Sequence, residues 1–568
     1  MPDQTNLIHL IIDDKAVSVP EGTLVVDAAK QAGITIPVFC YHPKLEPAGM
    51  CRMCLVEIGT LAVDRATGQP VLDEHGQPKI AWNPKLQTAC TTPVTQGMHV
   101  RTQSQAVKDA QREVLEFLLT SHPLDCPICD KGGECPLQNL TMAYGPGQTR
   151  FELADKQLLD KHVPLGDLIW LDRERCIQCG RCIRFQAEIA GSAVLGFDQR
   201  GRQLQIMTFS DPPFDSVFSG NTTDICPVGA LTTADFRFRA RPWELTNVPS
   251  LCDHCAVGCN ITLCTRRSAR SGGWEILRVM PRQNELVNEI WICDKGRFGH
   301  GHAHSPQRLA QPAIRWGGQH KPVSWEEALA VASEKLRTLV AAGNPTPPVM
   351  GLLGDRIPNE DAYLMVKFFR QVLHSDALFA YPLVSGVQAA RQYGVASGTN
   401  LGALDPSNSV VLVVGADLYE QAPLWYLRLR RARILKLEAR SSDVHEPSSA
   451  QLQCHEGTES YVVLGLLNVV LNEGLVRAEV AARVEGLDEL KTRVAQYTPD
   501  KVSELSGVPA GSIRQVARAL AEAENAVFVF GTLGTPESLP QHLANLAVLT
   551  AHVGRPNNGL LPAWPHAN

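Results

Sequence analysis

Beyond Cys293, this 568-residue chain contains a single cysteine, Cys454, out of seventeen. Long hydrophobic runs are missing as well. The longest, such as Ser409–Gly415 and Ala526–Phe530, fall far short of the ~20 apolar residues of a membrane helix. There is no excess of positive charge: the formal net charge is −6, which gives no footing for nucleic acid. Met1–Asn6 has neither a basic region leading into an apolar stretch nor a twin arginine. No export signal is therefore expected, and the cytoplasm is the expected compartment. No G-x-G-x-x-G follows a strand-like run and no P-loop is present, so a dinucleotide fold is not supported.

What the chain does have is a crowded first half. Sixteen cysteines precede residue 294, and fifteen of them fall into four groups with ligand spacing. Disulfides would need an exported protein; recurring Cys-x2-Cys pairs in a reducing compartment read as metal ligands. Zinc is the rival for any one group. Hydrophobic content of 44% and charged content of 20% are those of an ordinary soluble protein, and the length implies several domains.

Local pattern predicts strands at 7–12 and 16–19 and a helix over 23–33, with Thr23 near its cap and Gly33 at its end. Residues 61–80 are polar and turn-rich, as in a surface insertion. Ser104–Thr120 predicts an amphipathic helix with Val107, Ala110, Val114 and Leu118 near one face. After about residue 305 the texture changes. Strands are predicted at 348–354, 410–415, 434–437 and 527–531, and helices at 359–373, 459–473 and 512–523. This alternation predicts α/β layers with a largely parallel sheet.

The first group, Cys40-x10-Cys51-x2-Cys54-x35-Cys90, has the logic of a plant-type [2Fe–2S] site: a close pair, one ligand upstream and one far downstream. Its first gap is longer than usual. Gly49 would let the backbone approach the sulfides. The second group is His122-x3-Cys126-x2-Cys129-x5-Cys135, with a histidine standing for a fourth cysteine. A neutral imidazole in place of a thiolate raises the net cluster charge by one, which favours reduction. The third group, Cys176-x2-Cys179-x2-Cys182 followed by Cys226-Pro227, is bacterial-ferredoxin spacing for [4Fe–4S]. With one triplet and one such Cys-Pro, Cys226 most simply completes the same site. The fourth group, Cys252-x2-Cys255-x3-Cys259-x33-Cys293, suits [4Fe–4S] or zinc, and Cys264 competes for a ligand place.

In this order the four groups resemble the large iron–sulfur subunit, the G chain, of the proton-translocating NADH–quinone oxidoreductase, respiratory complex I. The resemblance covers nearly the whole chain, and its first three motifs are the specific ones. Cys293-Asp-Lys-Gly resembles that family's cluster-closing turn, which favours Cys293 over Cys264. The back half resembles the molybdopterin oxidoreductase fold. Val410–Asp417 is similar to its strand and Gly-x-Asn turn, with Asp417 replacing Asn. His455–Asn468 is similar to its Gly-Thr helix start, and Asn545–Gly559 to its Thr-Gly-x-x-Gly-Arg segment.

The resemblance implies α+β ferredoxin-like iron–sulfur domains, the first a β-grasp, followed by an α/β molybdopterin-oxidoreductase-like domain. The expected segments are 1–100 for [2Fe–2S], 101–150 for the His(Cys)3 site, 151–244 for a ferredoxin-like [4Fe–4S] domain, 245–305 for the fourth site and 306–568 for a truncated α/β domain. One [2Fe–2S] and three [4Fe–4S] clusters are expected, and no molybdopterin. Ala377–Gly394, where relatives carry a metal ligand, has Ser385 but no cysteine, Cys454 lies on the wrong side of the Val410 strand, and the chain stops at Asn568 without a terminal barrel.

The implied role is an electron relay from a flavin-bearing, NADH-oxidising partner. Electrons would pass through the first, third and second sites to a ferredoxin-like partner and on toward quinone, with the fourth site off that route. The implied location is peripheral, on the cytoplasmic side of a bacterial plasma membrane. No residue is expected to do bond chemistry. The alternative is a molybdopterin-dependent catalytic subunit of the formate dehydrogenase type. An iron hydrogenase would need further cysteines after Cys293, and a structural zinc protein would be colourless.

Overall fold

In a computed structural model, residues 6–565 are described apart from 65–66, 68, 269–271, 342–348, 355, 381–384, 396–400, 402–403, 405–407, 440–448 and 532–534. The start of the chain, Gly68, Pro348, part of Ala377–Gly394 and the last three residues therefore lie outside the described residues. The chain divides into two compact units, Met1–Thr246 and Asn247–Asn568.

The first unit opens with a hairpin, Leu7–Ile12 against Lys15–Pro20, whose alternating apolar residues face one side. His99–Arg101 adds parallel to Leu7–Ile12, then Leu55–Leu61 and Ile80–Trp82 follow antiparallel. The helix Val25–Gln31 buries Val25, Val26, Ala28 and Ala29 in the core made with Leu10, Ile12, Val56, Ile58 and Val100. The residue at its cap is Leu24, not Thr23, which hydrogen-bonds back to Pro20 O. The described residues between Leu61 and Ile80 are largely exposed and held by the bridges Val63–Pro70 and Leu72–Pro78.

Ser104 caps the helix Gln105–Leu119 by accepting from Val107 N. Its buried line is Val107, Gln111 and Leu115, one residue round from the predicted stripe; Ala110, Val114 and Leu118 flank it half-buried. Beyond it come two small sheets and a short helix that begins at Arg181.

The second unit begins with three antiparallel strands, Thr246–Leu251, Asn260–Arg267 and Trp274–Pro281. Its centre is a five-stranded, all-parallel sheet in the order Ala450–Gln453, Arg433–Glu438, Ser409–Val414, Asn525–Gly531, Gly559–Ala563. Such sheets are covered on both faces, and every residue of Ser409–Val414 is buried. The helix Glu459–Asn472 is apolar nearly all round and buried from Val462 to Leu471, as a core helix must be. The predicted strand at 348–354 shortens to Gly351–Leu353. It pairs with Leu378–Ala380 rather than with the central sheet.

Candidate metal centres

The loop after the first helix brings Cys40, Cys51, Cys54 and Cys90 together. Cys40 N and Cys51 N each point at the other's sulfur, at 3.4 and 3.5 Å. Bonds from Cys51 and Cys90 hold the Cys40 thiol well below the usual range, and Cys90 is pushed up in turn by Cys40 and Cys54. Thiols hydrogen-bonded in the order Cys51, Cys40, Cys90, Cys54 and set against an apolar core suit a group that replaces their protons with metal.

The loop Cys176–Cys182 turns through positive φ at Gln178 (54°) and Gly180 (70°). It gathers Cys176, Cys179 and Cys182 with Cys226, which interact electrostatically with one another. Burial pushes Cys176 up to about 12 and Cys179 to about 11. Buried thiols like these stay protonated at neutral pH until a metal displaces the proton.

His122, Cys126, Cys129 and Cys135 line one cavity of about 250 Å3, together with Asp125, Arg175 and Gly229. Burial, then Lys156 and Arg175, hold the imidazole at about 4, so it is neutral and has a free lone pair. Its Nδ1 is buried without a hydrogen-bond partner. Asp125 receives Lys161 at 2.6 Å and Arg175 at 2.9 Å; burial acts upward on its carboxyl, but these two cations hold it below the usual range. Arg241 donates to Cys129 O at 2.6 Å. Gly132 and Gly133 are needed where they stand. A Cβ on Gly132 would come 2.9 Å from Cys126 O, and one on Gly133, at φ 94°, 2.7 Å from Trp243.

The loops of these three groups meet one another. A Cβ on Gly180 would lie 3.5 Å from Met50 Sδ, next to Cys51. Arg181 donates to Tyr41 O and to Ile225 O, the neighbours of Cys40 and Cys226. Three residues past Cys226, a Cβ on Gly229 would come 2.1 Å from Cys129 Sγ, and the Cys135 thiol faces Pro227 O at 3.8 Å. The segment Cys226–Gly229 thus belongs to the surroundings of two groups. The sequence reading missed this, and only the Gly after Cys-Pro-x signals it.

In the second unit Cys252, Cys255, Cys259 and Cys293 lie together and repel one another electrostatically. Cys252 N is bonded to Cys259 O at 2.9 Å. A Cβ on Gly296 would lie 3.2 Å from Cys252 Sγ and 3.8 Å from Cys293 Sγ, which is the physical reason for glycine in Cys293-Asp-Lys-Gly. Cys264 sits in the strand Asn260–Arg267, in register with Arg278. Cys454 is buried, and burial with nearby Glu459 pushes its thiol up to about 11. Asp417 caps the helix Leu418–Gln421 through its carboxylate. Ser385 is buried, and its carbonyl accepts from Trp564 Nε1.

The donor sets fit iron–sulfur clusters. The His122 cavity, its orphaned Nδ1 and the side-chain-free approaches at Gly229 and Gly296 leave room for a group bridging the sulfurs.

Five family matches follow one another between residues 5 and 478. They are a 2Fe-2S iron–sulfur cluster binding domain (5–105), the NADH-ubiquinone oxidoreductase-G iron–sulfur binding region (111–150) and the ferredoxin-like domain of NADH-quinone oxidoreductase subunit 3 (166–232). An NDSU1/NuoG-like 4Fe-4S domain (246–301) and molybdopterin oxidoreductase (308–478) follow. The fold is therefore an N-terminal [2Fe–2S] domain, ferredoxin-like [4Fe–4S] domains and a molybdopterin-oxidoreductase-like α/β domain.

The G subunit of NADH-quinone oxidoreductase from Streptomyces coelicolor is 40% identical over 85% of this chain and 56% of its own length. Subunit 3 of the Thermus thermophilus enzyme is 47% identical over 58% of this chain and 43% of its own. The G subunit from Rickettsia conorii is 34% identical over 83% of this chain and 67% of its own. The chain spans about half the length of the first two. No described helix is long and apolar enough to cross a membrane. On these sites and likenesses, the chain belongs to the G-subunit family of NADH-quinone oxidoreductase.

Proposed function

We propose that this chain is the electron-relay subunit of an NADH–quinone oxidoreductase, holding one [2Fe–2S] cluster at Cys40, Cys51, Cys54 and Cys90 and [4Fe–4S] clusters at the other three groups. When bound, the clusters supply one-electron redox sites between a flavin-bearing, NADH-oxidising subunit and a ferredoxin-like subunit that leads to quinone. The observation that carries the reading is the contact chain in the first unit. Met50 meets Gly180 beside the first and third groups, and Gly229 meets Cys129 beside the third and second.

The residues hold and insulate; they make and break no bonds of a substrate. Arg175, 1% exposed, precedes Cys176 and also lines the His122 cavity. Its ion pairs with Asp125 and Asp172 keep a fixed positive charge between those two groups. The exit side is the second group, where Cys126 is exposed among the exposed apolar residues Leu124, Ile128 and Met142. The fourth group, in the second unit, lies off the relay, and the parallel-sheet domain is a scaffold without molybdopterin. The chain is peripheral, on the cytoplasmic side of a bacterial plasma membrane.

The test is reduction by NADH through the flavin-bearing partner. With the partner present, NADH should reduce the iron–sulfur chromophores of this chain. With Cys179→Ala, signals from the His122 group should no longer appear on the turnover timescale. Normal reduction of that group in a Cys179→Ala protein that has lost only the third cluster would overturn the relay order.

A further inference from the structure

Arg181 and Arg184 are the first and last residues of the helical turn that carries Cys182. Neither belongs to a cysteine motif, yet both reach across to the loop of the first group. Arg181 Nη2 donates to Tyr41 O at 2.5 Å, while its Nη1 donates to Ile225 O at 3.3 Å. Arg184 Nη2 donates to Cys40 O, and its Nη1 to Glu46 O at 2.5 Å. Glu188, on the following turn, accepts from Glu46 N at 2.8 Å. The Cys40 loop is therefore docked onto the Cys182 helix through its backbone.

One prong of Arg181 holds the residue after Cys40, and the other holds the residue before Cys226. The Nε atoms of both arginines are buried and have no hydrogen-bond partner. A buried N–H left unpaired is costly, and an arginine always carries its charge. Tyr41 follows a cysteine of the first group and Ile225 precedes one of the third, so the guanidinium stands between the two.

We propose that Arg181 is a positioning residue shared by the first and third cluster sites. Its fork fixes the spacing of the Cys40 and Cys226 backbones, and its charge favours the reduced state of both sites. Arg184 acts on the Cys40 side alone. This rests on reading the two groups as cluster cages. Positive charge and hydrogen bonds around the sulfurs raise a cluster's potential, so one guanidinium between two sites moves both potentials together and preserves the difference between them.

The test is an EPR-monitored redox titration of the full cluster-loaded chain, comparing wild type with R181Q, R181K and R184Q. R181Q should retain its iron and lower the potentials of both the [2Fe–2S] and the Cys176-group [4Fe–4S] signals. The expected size is about tenfold in each one-electron equilibrium, or ~59 mV. R184Q should lower the [2Fe–2S] potential only. R181K keeps the charge but loses the fork, so it should shift both potentials in the same direction by less. Unchanged potentials in loaded R181Q, or a shift confined to one site, would overturn the proposal. If R181Q does not load, R181K decides by the same criterion. A wild-type chain with neither signal would remove the cluster reading itself, and the proposal with it.

Discussion

Gly229 lies against the sulfur of Cys129: a Cβ at position 229 would come 2.1 Å from Sγ. The two residues are a hundred positions apart in sequence. The contact makes Gly229, just past the Cys226-Pro227 turn, part of the wall of the His122 cavity. At that distance a methyl group overlaps the sulfur, so one of the two must shift.

Gly229→Ala is therefore expected to lose the cluster held by His122, Cys126, Cys129 and Cys135. Iron content should fall by about four atoms per chain, while the EPR signal of the Cys176 group persists. Iron analysis with low-temperature EPR checks this, and a fully loaded Gly229→Ala chain would contradict the assigned cage.

His122→Cys should keep a [4Fe–4S] cluster and lower its potential, since a thiolate adds one negative charge where the imidazole was neutral. The imidazole is neutral in the fold because burial and Lys156 hold it at about 4. If no EPR-visible cluster changes its potential, His122 is not a ligand.

Cys259→Ala should cost about four irons from the second unit and leave the signals of the first unit intact. In the assembled complex, NADH–quinone turnover should largely survive. A collapse of turnover in a fully assembled complex would put the fourth site on the electron path.

Much of this was legible in the sequence because ligand spacing is a local property. The four candidate ligand sets were read from their intervals alone, and the β-branched runs at Val410, Ile434 and Val527 form the centre of a parallel sheet. Its two edge strands were not legible. Ala450–Gln453 has no β-branched residue, and Gly559–Ala563 contains Pro562, which argues against a strand except at an edge. Thr23 reads as lying near the cap; it stands one residue before Leu24 at the cap, with its hydroxyl donating to Pro20 O. The roles of Gly229 and Arg181 depend on which loops meet in space, and no periodicity encodes that.

A pH effect is expected in the second unit. His552 is fully buried, bonded to Thr550 Oγ1 at 2.8 Å and Ala523 O at 3.2 Å. Burial, against the Ala523 bond, lowers it from 6.5 to about 4. The folded pKa is thus below the unfolded one, so the unfolded chain takes the proton first. Stability is present above about pH 6.5 and lost as pH falls toward 4, by up to about 3 kcal/mol. Hydrogen exchange of the strand Asn525–Gly531 should show this loss, and His552→Asn should flatten it. An equally steep loss in the variant would assign it elsewhere.

The central claim is that this chain conducts electrons through bound clusters and carries no substrate chemistry of its own. Iron and molybdenum analysis, combined with a redox-titrated EPR spectrum of the anaerobically purified full chain, tests it most directly. The account predicts about fourteen irons per chain, one [2Fe–2S] and three [4Fe–4S] signals, and no stoichiometric molybdenum or tungsten. Stoichiometric molybdenum or tungsten, or an iron-free chain holding zinc, would contradict it.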